Sequence, residues 1–138
     1  KRQIYISGQV ALDPEGNVVG EGNAEVQAEY IWSNIEKVLE EAGSGLDEIV
    51  KIFVFGVGTK STKGAWEVRK RMTLGKDPLP CVTSVAVSGL FRPDLLLEID
   101  VGGGFRHKFY ETFCRSPSGE HVRVQYVQRK RTSKNTDP

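Results

Sequence analysis

The sequence predicts an α+β domain, in which one mixed β-sheet carries two helices on one face in the order ββαβαββ, followed by a C-terminal β-hairpin. Short β-branched segments alternate with two segments of helical periodicity. Turns rich in Gly, Pro, Asn and Asp separate these segments. The 138 residues, of which 38% are hydrophobic, are enough for one ordinary hydrophobic core.

The chain opens with a predicted hairpin. Residues 3–10 are rich in β-forming side chains and predict a strand, and residues 13–17 contain Pro14 and Gly16 in a turn. Residues 17–19 then predict a short second strand.

An amphipathic helix follows the hairpin. Asn23 is its predicted N-cap, and Gly43 and Gly45 are expected to end it. The apolar residues that recur at helical spacing are Val26, Tyr30, Ile31, Ile35, Val38, Leu39 and Ala42. Residues 47–57 are an apolar segment of strand length, which predicts a strand in the middle of the sheet.

The second half of the body repeats this alternation. Residues 59–64 predict a polar loop, and residues 65–74 predict a second helix. Strands are predicted at 81–87 and 95–101. The three glycines at 102–104 predict a flexible link.

The sequence divides into three predicted segments. These are a folded body (1–104), a C-terminal hairpin extension (105–127) and a disordered tail (128–138). The body carries 11 Lys and Arg against 15 Asp and Glu, whereas residues 105–138 carry 8 against 3. We interpret the basic C-terminal part as a solvated appendage, with an acidic partner or RNA as the alternative.

Composition argues against several classes of protein. No apolar segment reaches the roughly 20 residues of a membrane-spanning helix, and no secretory leader opens the sequence, which predicts a cytoplasmic protein. With two cysteines and two histidines, the sequence predicts neither a disulfide framework nor a zinc site. Cys81 lies in an apolar strand and is expected to be an inert core residue.

Two carboxylates give the first indication of a functional site. Glu98 and Asp100 are two residues apart on a predicted strand, so their side chains share one face. Buried carboxylates are costly unless they are hydrogen-bonded, which makes such a pair unusual on a central strand. The alternative is that this side of the strand simply faces solvent.

Several motifs lie along the body of the chain: Ile4-Tyr5-Ile6-Ser7-Gly8-Gln9, Gln27 in a helix that ends Ala42-Gly43, Ile49-Val50-Lys51, Pro80 followed by Val85-Ala86-Val87-Ser88-Gly89-Leu90, and Leu97-Glu98-Ile99-Asp100-Val101. Taken together in order and spacing, they resemble the RidA (YjgF) family over about residues 1–103. The resemblance implies a chorismate-mutase-like fold and a homotrimer with small-molecule clefts between subunits. It also implies hydrolysis of reactive 2-imino or enamino acids to 2-keto acids and ammonia, with no cofactor.

Roles of individual residues follow from the same resemblance. Glu98 resembles the carboxylate that orients the attacking water, Ser7 and Gly8 resemble the strand end that lines the cleft, and the backbone of Ser84 would face the ligand. Where the family has an Arg that binds the substrate carboxylate, this sequence has Val82. Loss of such a charge-assisted contact removes on the order of 1.5–3 kcal/mol of binding.

The sequence therefore leaves two main functional hypotheses. The first is a RidA-type small-molecule hydrolase, an imine or enamine deaminase whose substrate choice is altered because Val82 replaces the Arg. The second is a non-catalytic trimeric protein that binds a small molecule or has a regulatory role. RNA binding or cleavage is a third hypothesis, which the basic C-terminal part favours slightly. No metal, membrane partner or nucleic-acid partner is expected under the first two.

Overall fold

The computed structural model describes residues 3–73, 75 and 77–105 of the chain. Its elements are β1 (Gln3–Gln9), α1 (Ala24–Glu41), a 3₁₀ turn (Leu46–Glu48), β2 (Ile49–Val57), α2 (Gly58–Met72), β3 (Cys81–Val87) and β4 (Leu97–Gly104). The predicted tail at 128–138 and all but the first residue of the predicted hairpin at 105–127 lie outside the described residues.

The strands form one mixed sheet in the order β1-β4-β2-β3. β4 is antiparallel to both β1 and β2, and β3 is parallel to β2. Both helices pack on the same side of this sheet, α1 against β1 and β4 and α2 mainly against β2 and β3. The predicted α+β class and the placement of the helices are confirmed. Within the described residues, no helix is long and apolar enough to cross a bilayer.

Helix α1 has the ends that its sequence predicts. The Asn23 side chain accepts hydrogen bonds from the backbone N–H groups of Glu25 and Val26, both at 3.1 Å. At the other end, Gly43 takes a φ of +74°, and the Ser44 N–H reaches back to the Leu39 carbonyl at 2.7 Å. This is a Schellman ending, for which glycine is suited because it has no Cβ.

The predicted short strand at residues 17–19 is wrong. This segment forms a single β-bridge, between Leu12 and Val18. The Asp13 carboxylate accepts a hydrogen bond from the backbone N–H of Asn17 at 2.8 Å. A side chain thus provides a hydrogen bond that a longer pairing of two strands would otherwise supply. The sheet consequently has four strands rather than five.

The predicted polar loop at 59–64 is also wrong, because α2 already begins at Gly58. Ser61, Ala65 and Val68 are the buried residues of this helix, and their spacing is that of one helical face. Ser61 is small and polar, so it does not contribute to the apolar periodicity from which the helix was predicted. The buried face therefore starts one turn earlier than the apolar residues indicate.

The predicted flexible link at 102–104 is instead the end of strand β4. A Cβ built on Gly103 would lie 2.6 Å from the backbone oxygen of Glu48 and 3.2 Å from the Cα of Ile49. Glycine here allows two backbones to approach closely, which is a long-range requirement that local sequence does not reveal.

We expect Gly103→Ala to lower the free energy of unfolding by about 1–3 kcal/mol, because the added methyl overlaps backbone atoms that move only together with β2. Urea denaturation measures the change. Gly89→Ala is the matched control, since a Cβ at Gly89 meets nothing within 4 Å. Equal stability of the two variants would contradict the close approach seen in the structure.

The side of the sheet away from the helices, here called the open face, has no covering element among the described residues. Tyr5, Phe53 and Val85 are 48%, 39% and 40% exposed there. Strand alternation and register also place on this face the polar residues Lys51, Thr83, Glu98 and Asp100.

Candidate functional site

A β-bulge at the end of β1 shapes the candidate site. Ile6 pairs with Val101 and Gln9 pairs with Ile99, so Ser7 and Gly8 together lie opposite one residue of β4. The bulge brings the β1 backbone against the start of β4, where the carboxylate pair is located.

The Glu98 carboxyl group lies directly over Gly8. A Cβ built on Gly8 would overlap its oxygen Oε1 and would lie 2.8 Å from its carbon Cδ. Any side chain at position 8 would displace this carboxyl group. The glycine therefore gives Glu98 the space that it occupies at the sheet surface.

The surroundings of the two carboxyl groups favour their protonated forms. Burial raises the pKa of Glu98, and the nearby charge of Asp100 raises it further. Burial also raises the pKa of Asp100. A carboxyl group shifted in this direction accepts a proton more readily near neutral pH than an ordinary one, which suits acid–base work. The predicted common face of Glu98 and Asp100 is confirmed.

A depression of about 410 Å³ lies beside this pair on the open face. It is lined by Tyr5, Ile6, Ser7, Lys51, Phe53, Asp100, Val101 and Gly102. Asp100 contributes an oxygen, Oδ1, that is buried without a hydrogen-bond partner. The depression thus combines an apolar floor with an unsatisfied acceptor, a combination typical of small-molecule sites.

Lys51 is the cation at this depression. Its Nζ donates to the Thr83 hydroxyl oxygen at 2.7 Å and lies 4.4 Å from the centroid of the Phe53 ring. Both partners are uncharged. The sequence analysis quoted Lys51 within a motif but gave it no role at the site. The signal that could have identified it is a single charge inside the apolar segment IVKIFVFGV.

Of the predicted site residues, the structure brings Ser7, Gly8 and Glu98 together. Val82 is not next to them in the fold. It pairs with Ile52 and packs against the hydrophobic core on the helix side of the sheet. Ser84 is exposed and lies two residues further along the same strand.

The register of the strands gives the distance between Val82 and Glu98 along the sheet. Val82 is level with Ile52, whereas Glu98 is level with Phe55, three positions along β2. Three positions correspond to about 10 Å along a strand, and the two side chains point to opposite faces. Contact between them would require a neighbouring subunit.

Neither Arg92 nor Cys81 lines the depression. Arg92 is bound to Asp94 at 2.5 Å and donates to the Gly16 carbonyl at 2.8 Å. Cys81 was expected to be buried, but it is exposed where β3 begins, because its register opposite Lys51 places it on the open face of the sheet.

Fold and site together define a class of protein: a small α+β domain whose sheet carries a carboxylate pair and a small-molecule depression on its open face. Within the described part of the chain, no group of three or more His, Cys, Asp and Glu side chains could hold a metal ion.

The chain belongs to the RidA (YjgF) family. The family model described as Endoribonuclease L-PSP matches residues 1–102, which span almost all of the described fold. This confirms the family that the combined motifs indicate.

Individual relatives agree with this assignment. A RutC family protein from Saccharolobus solfataricus is 39% identical over 98 residues, which cover 71% of this chain and 75% of the relative. A RutC family protein from Synechocystis is 47% identical over 53 residues, and there the chain covers only 41% of the relative. Among solved structures, the Rid family protein YyfA from Yersinia pestis aligns with a TM-score of 0.68 at 31% identity, covering 74% of this chain and 79% of that one.

Proposed function

We propose that the protein is a RidA-type hydrolase that converts a small imine or enamine into a carbonyl compound and ammonia. The observation that carries the proposal is the Glu98 carboxyl group, held over Gly8 in surroundings that raise its pKa. Family membership supplies the reaction class.

The reaction needs one group that first accepts and then returns a proton. Ionised Glu98 takes a proton from water as the water oxygen bonds to the C=N carbon. The same carboxyl group returns this proton to the nitrogen, which gives a neutral carbinolamine. The carboxylate then takes the proton of the carbinolamine hydroxyl and passes it to the nitrogen as the C–N bond breaks and the C=O bond forms, so that ammonia leaves. Water and the imine thus give a carbonyl compound and ammonia, with no change in oxidation state.

Val82 is the basis for an altered substrate choice. An apolar side chain at this position gives a substrate carboxylate no counter-charge, so a less polar or differently bound substrate is favoured. The same observation favours a second candidate: a small-molecule-binding or regulatory protein that keeps the scaffold without the chemistry.

A cytoplasmic homotrimer with clefts between its subunits is part of this proposal. The half-exposed apolar residues Tyr5, Phe53 and Val85 support an assembly, because association would cover them. RNA cleavage, which the description of the family model names, has less support. The described residues include no histidine that could act as a base, and both histidines of the sequence, at 107 and 121, lie outside them.

The decisive assay couples the full chain to an amino-acid oxidase that generates 2-iminobutanoate or 2-iminopropanoate. Semicarbazide traps the imine, and hydrolysis by the protein suppresses semicarbazone formation. We expect suppression by the unaltered protein, with Val82→Arg changing its preference toward these carboxylate-bearing imines. Val50→Arg, which makes the same change at an exposed valine, is the control.

The outcomes separate the two candidates. Suppression by the unaltered protein supports the hydrolase. Suppression by Val82→Arg alone supports a binding protein derived from a hydrolase. If neither chain acts on either imine while thermal melting shows both folded, the hydrolase proposal is wrong for this substrate class.

A further inference from the structure

We propose that the outer face of helix α2 docks a partner protein that presents an acidic segment with apolar residues. The docking surface, which we name the α2 patch, consists of Lys63, Trp66, Arg69 and Lys70. Both helices pack on the side of the sheet opposite the open face, so association through the open face would leave the α2 patch accessible. The proposal does not depend on the hydrolytic function of Glu98.

The α2 patch faces away from the sheet. The buried residues of α2 share one face of the helix, whereas Lys63, Trp66 and Lys70 recur on the other face at intervals of three and four residues and are exposed. The Trp66 side chain is 49% exposed. Arg69 follows it by three residues, and the Arg69 guanidinium lies 4.6 Å from the centroid of the indole ring. The surface thus combines an exposed aromatic ring with three cations.

Arg69 has no anion beside it. Among the described residues, its guanidinium forms neither an ion pair nor a hydrogen bond. Burial lowers the pKa of this group, because water is partly removed from the charge. A carboxylate of a partner would accept two parallel hydrogen bonds from the guanidinium and so replace the lost water.

Helix stability explains only part of the positive charge of α2. The helix carries five Lys and Arg residues against Glu67 alone. Three of the five cations lie in the last turn, where the helix dipole favours them. Lys60 and Lys63 lie in the first two turns, where the dipole gives no such benefit, and neither forms an ion pair with a described residue. An anionic partner would give these lysines a role that the fold itself does not.

The ion pairs of α2 leave the charge of the patch available. Arg71 pairs with Glu29 of α1 at 2.6 Å, so the acidic helix α1 neutralises the side of α2 that faces it. Lys70 contacts Glu67 at 3.3 Å, but both side chains are half-exposed, and such a pair contributes little free energy. A partner carboxylate can therefore compete for Lys70.

The charge distribution favours an acidic protein segment over a nucleic acid. Residues 1–104 carry 11 Lys and Arg against 15 Asp and Glu, so a long polyanion would meet repulsion beyond the patch. The patch is about 10 Å long, because seven positions separate Lys63 from Lys70 on the helix. A short acidic segment matches that length, and an apolar residue within it would cover Trp66. Tryptophan and arginine are also the residues that most often dominate the affinity of protein interfaces.

The experiment measures the binding of synthetic peptides to the full chain. The first probe is a twelve-residue peptide of Glu with two Leu residues; the second has Gln in place of every Glu, and the third has Gln in place of both Leu. Fluorescence anisotropy of a fluorescein label on each peptide gives the affinity. We expect the first peptide to bind at least about tenfold more tightly than the second and about threefold more tightly than the third. Its affinity should fall steeply between about 0.05 and 0.5 M NaCl, because salt screens exposed charges.

Quenching of tryptophan fluorescence locates the bound peptide. The sequence has two tryptophans, and Trp32 is fully buried, so iodide in solution quenches Trp66. The first peptide should protect Trp66 from iodide at constant ionic strength. With Trp66→Ala, the first and third peptides should bind equally, because the apolar contact is gone.

Variants then assign the charges. Arg69→Gln and Lys63→Gln should each weaken binding of the first peptide by at least about threefold, and Arg69→Lys, which keeps the charge without the paired hydrogen bonds, should weaken it less than Arg69→Gln. Lys63→Gln, at an exposed position, repeats the test should Arg69→Gln fail to fold. Lys37→Gln removes the same charge from an exposed position on α1 and should leave the affinity unchanged.

The proposal is wrong if the first peptide does not bind, if the Gln peptide binds equally well, or if the bound peptide leaves iodide quenching of Trp66 unchanged. Tighter binding of a twelve-nucleotide uridine RNA, with the same loss in Arg69→Gln, would also overturn it, because the patch would then serve a nucleic acid. None of these readouts involves turnover, so a failed imine assay does not affect them.

Discussion

Replacing Glu98 by Gln is expected to lower kcat/KM for imine hydrolysis by about 10²- to 10⁴-fold, which is the usual contribution of one acid–base group. Gln has nearly the same shape as Glu and fits the same space over Gly8, but it cannot accept a proton from water. The semicarbazide assay measures the loss, in the unaltered or the Val82→Arg background, whichever is active. Glu40→Gln, an exposed change on α1, is the matched control.

The pH profile separates a chemical role of Glu98 from a structural one. Hydrolysis requires the ionised carboxylate, so activity should fall as the pH drops through a Glu98 pKa that burial and Asp100 hold above its usual value. Asp100→Asn removes the neighbouring charge and should move this fall in activity to lower pH. A Glu98→Gln variant that keeps the activity and the pH profile of the parent chain would exclude the proposed role.

The parts of the fold that local sequence specifies were predicted closely. Helix α1 was predicted because its cap at Asn23, its apolar spacing and its glycine ending are each readable from neighbouring residues. The helical structure of residues 59–64 was not predicted, because the buried residue of this segment is Ser61, which is polar and does not extend the apolar pattern. The glycines at 102–104 were misread because the close approach of Gly103 to the Glu48 backbone joins residues that are far apart in sequence.

The candidate site also has some features that local sequence specifies and others that depend on how distant segments pair. The shared face of Glu98 and Asp100 follows from strand alternation alone. The contact of Glu98 with Gly8 and the position of Lys51 at the depression depend on which strands pair and in what register. That information is non-local, so a single sequence indicates the residue types of the site without their arrangement.

Gln27→Met is expected to destabilise the fold by about 3 kcal/mol, because it leaves three partly buried backbone groups without their hydrogen-bond partner. Gln27 is fully buried on α1. Its Nε2 donates to the carbonyls of Gly20 at 3.2 Å and Asp94 at 3.0 Å, and its Oε1 accepts the N–H of Leu96 at 2.8 Å. Met fills a similar volume, so the loss reports the hydrogen bonds and not a cavity.

These hydrogen bonds also connect helix α1 to the segment that precedes strand β4, on which Glu98 lies. The segment that Gln27 holds leads directly into β4, and Glu98 lies two residues after Leu96. Gln3→Met is the matched control, because Gln3 is exposed and, among the described residues, its side chain accepts only the hydroxyl of Tyr5. Urea denaturation of both variants should show a loss for Gln27→Met alone. If the two variants unfold at the same urea concentration, ordered water or a rearranged loop replaces these bonds, and Gln27 does not fix the position of Glu98.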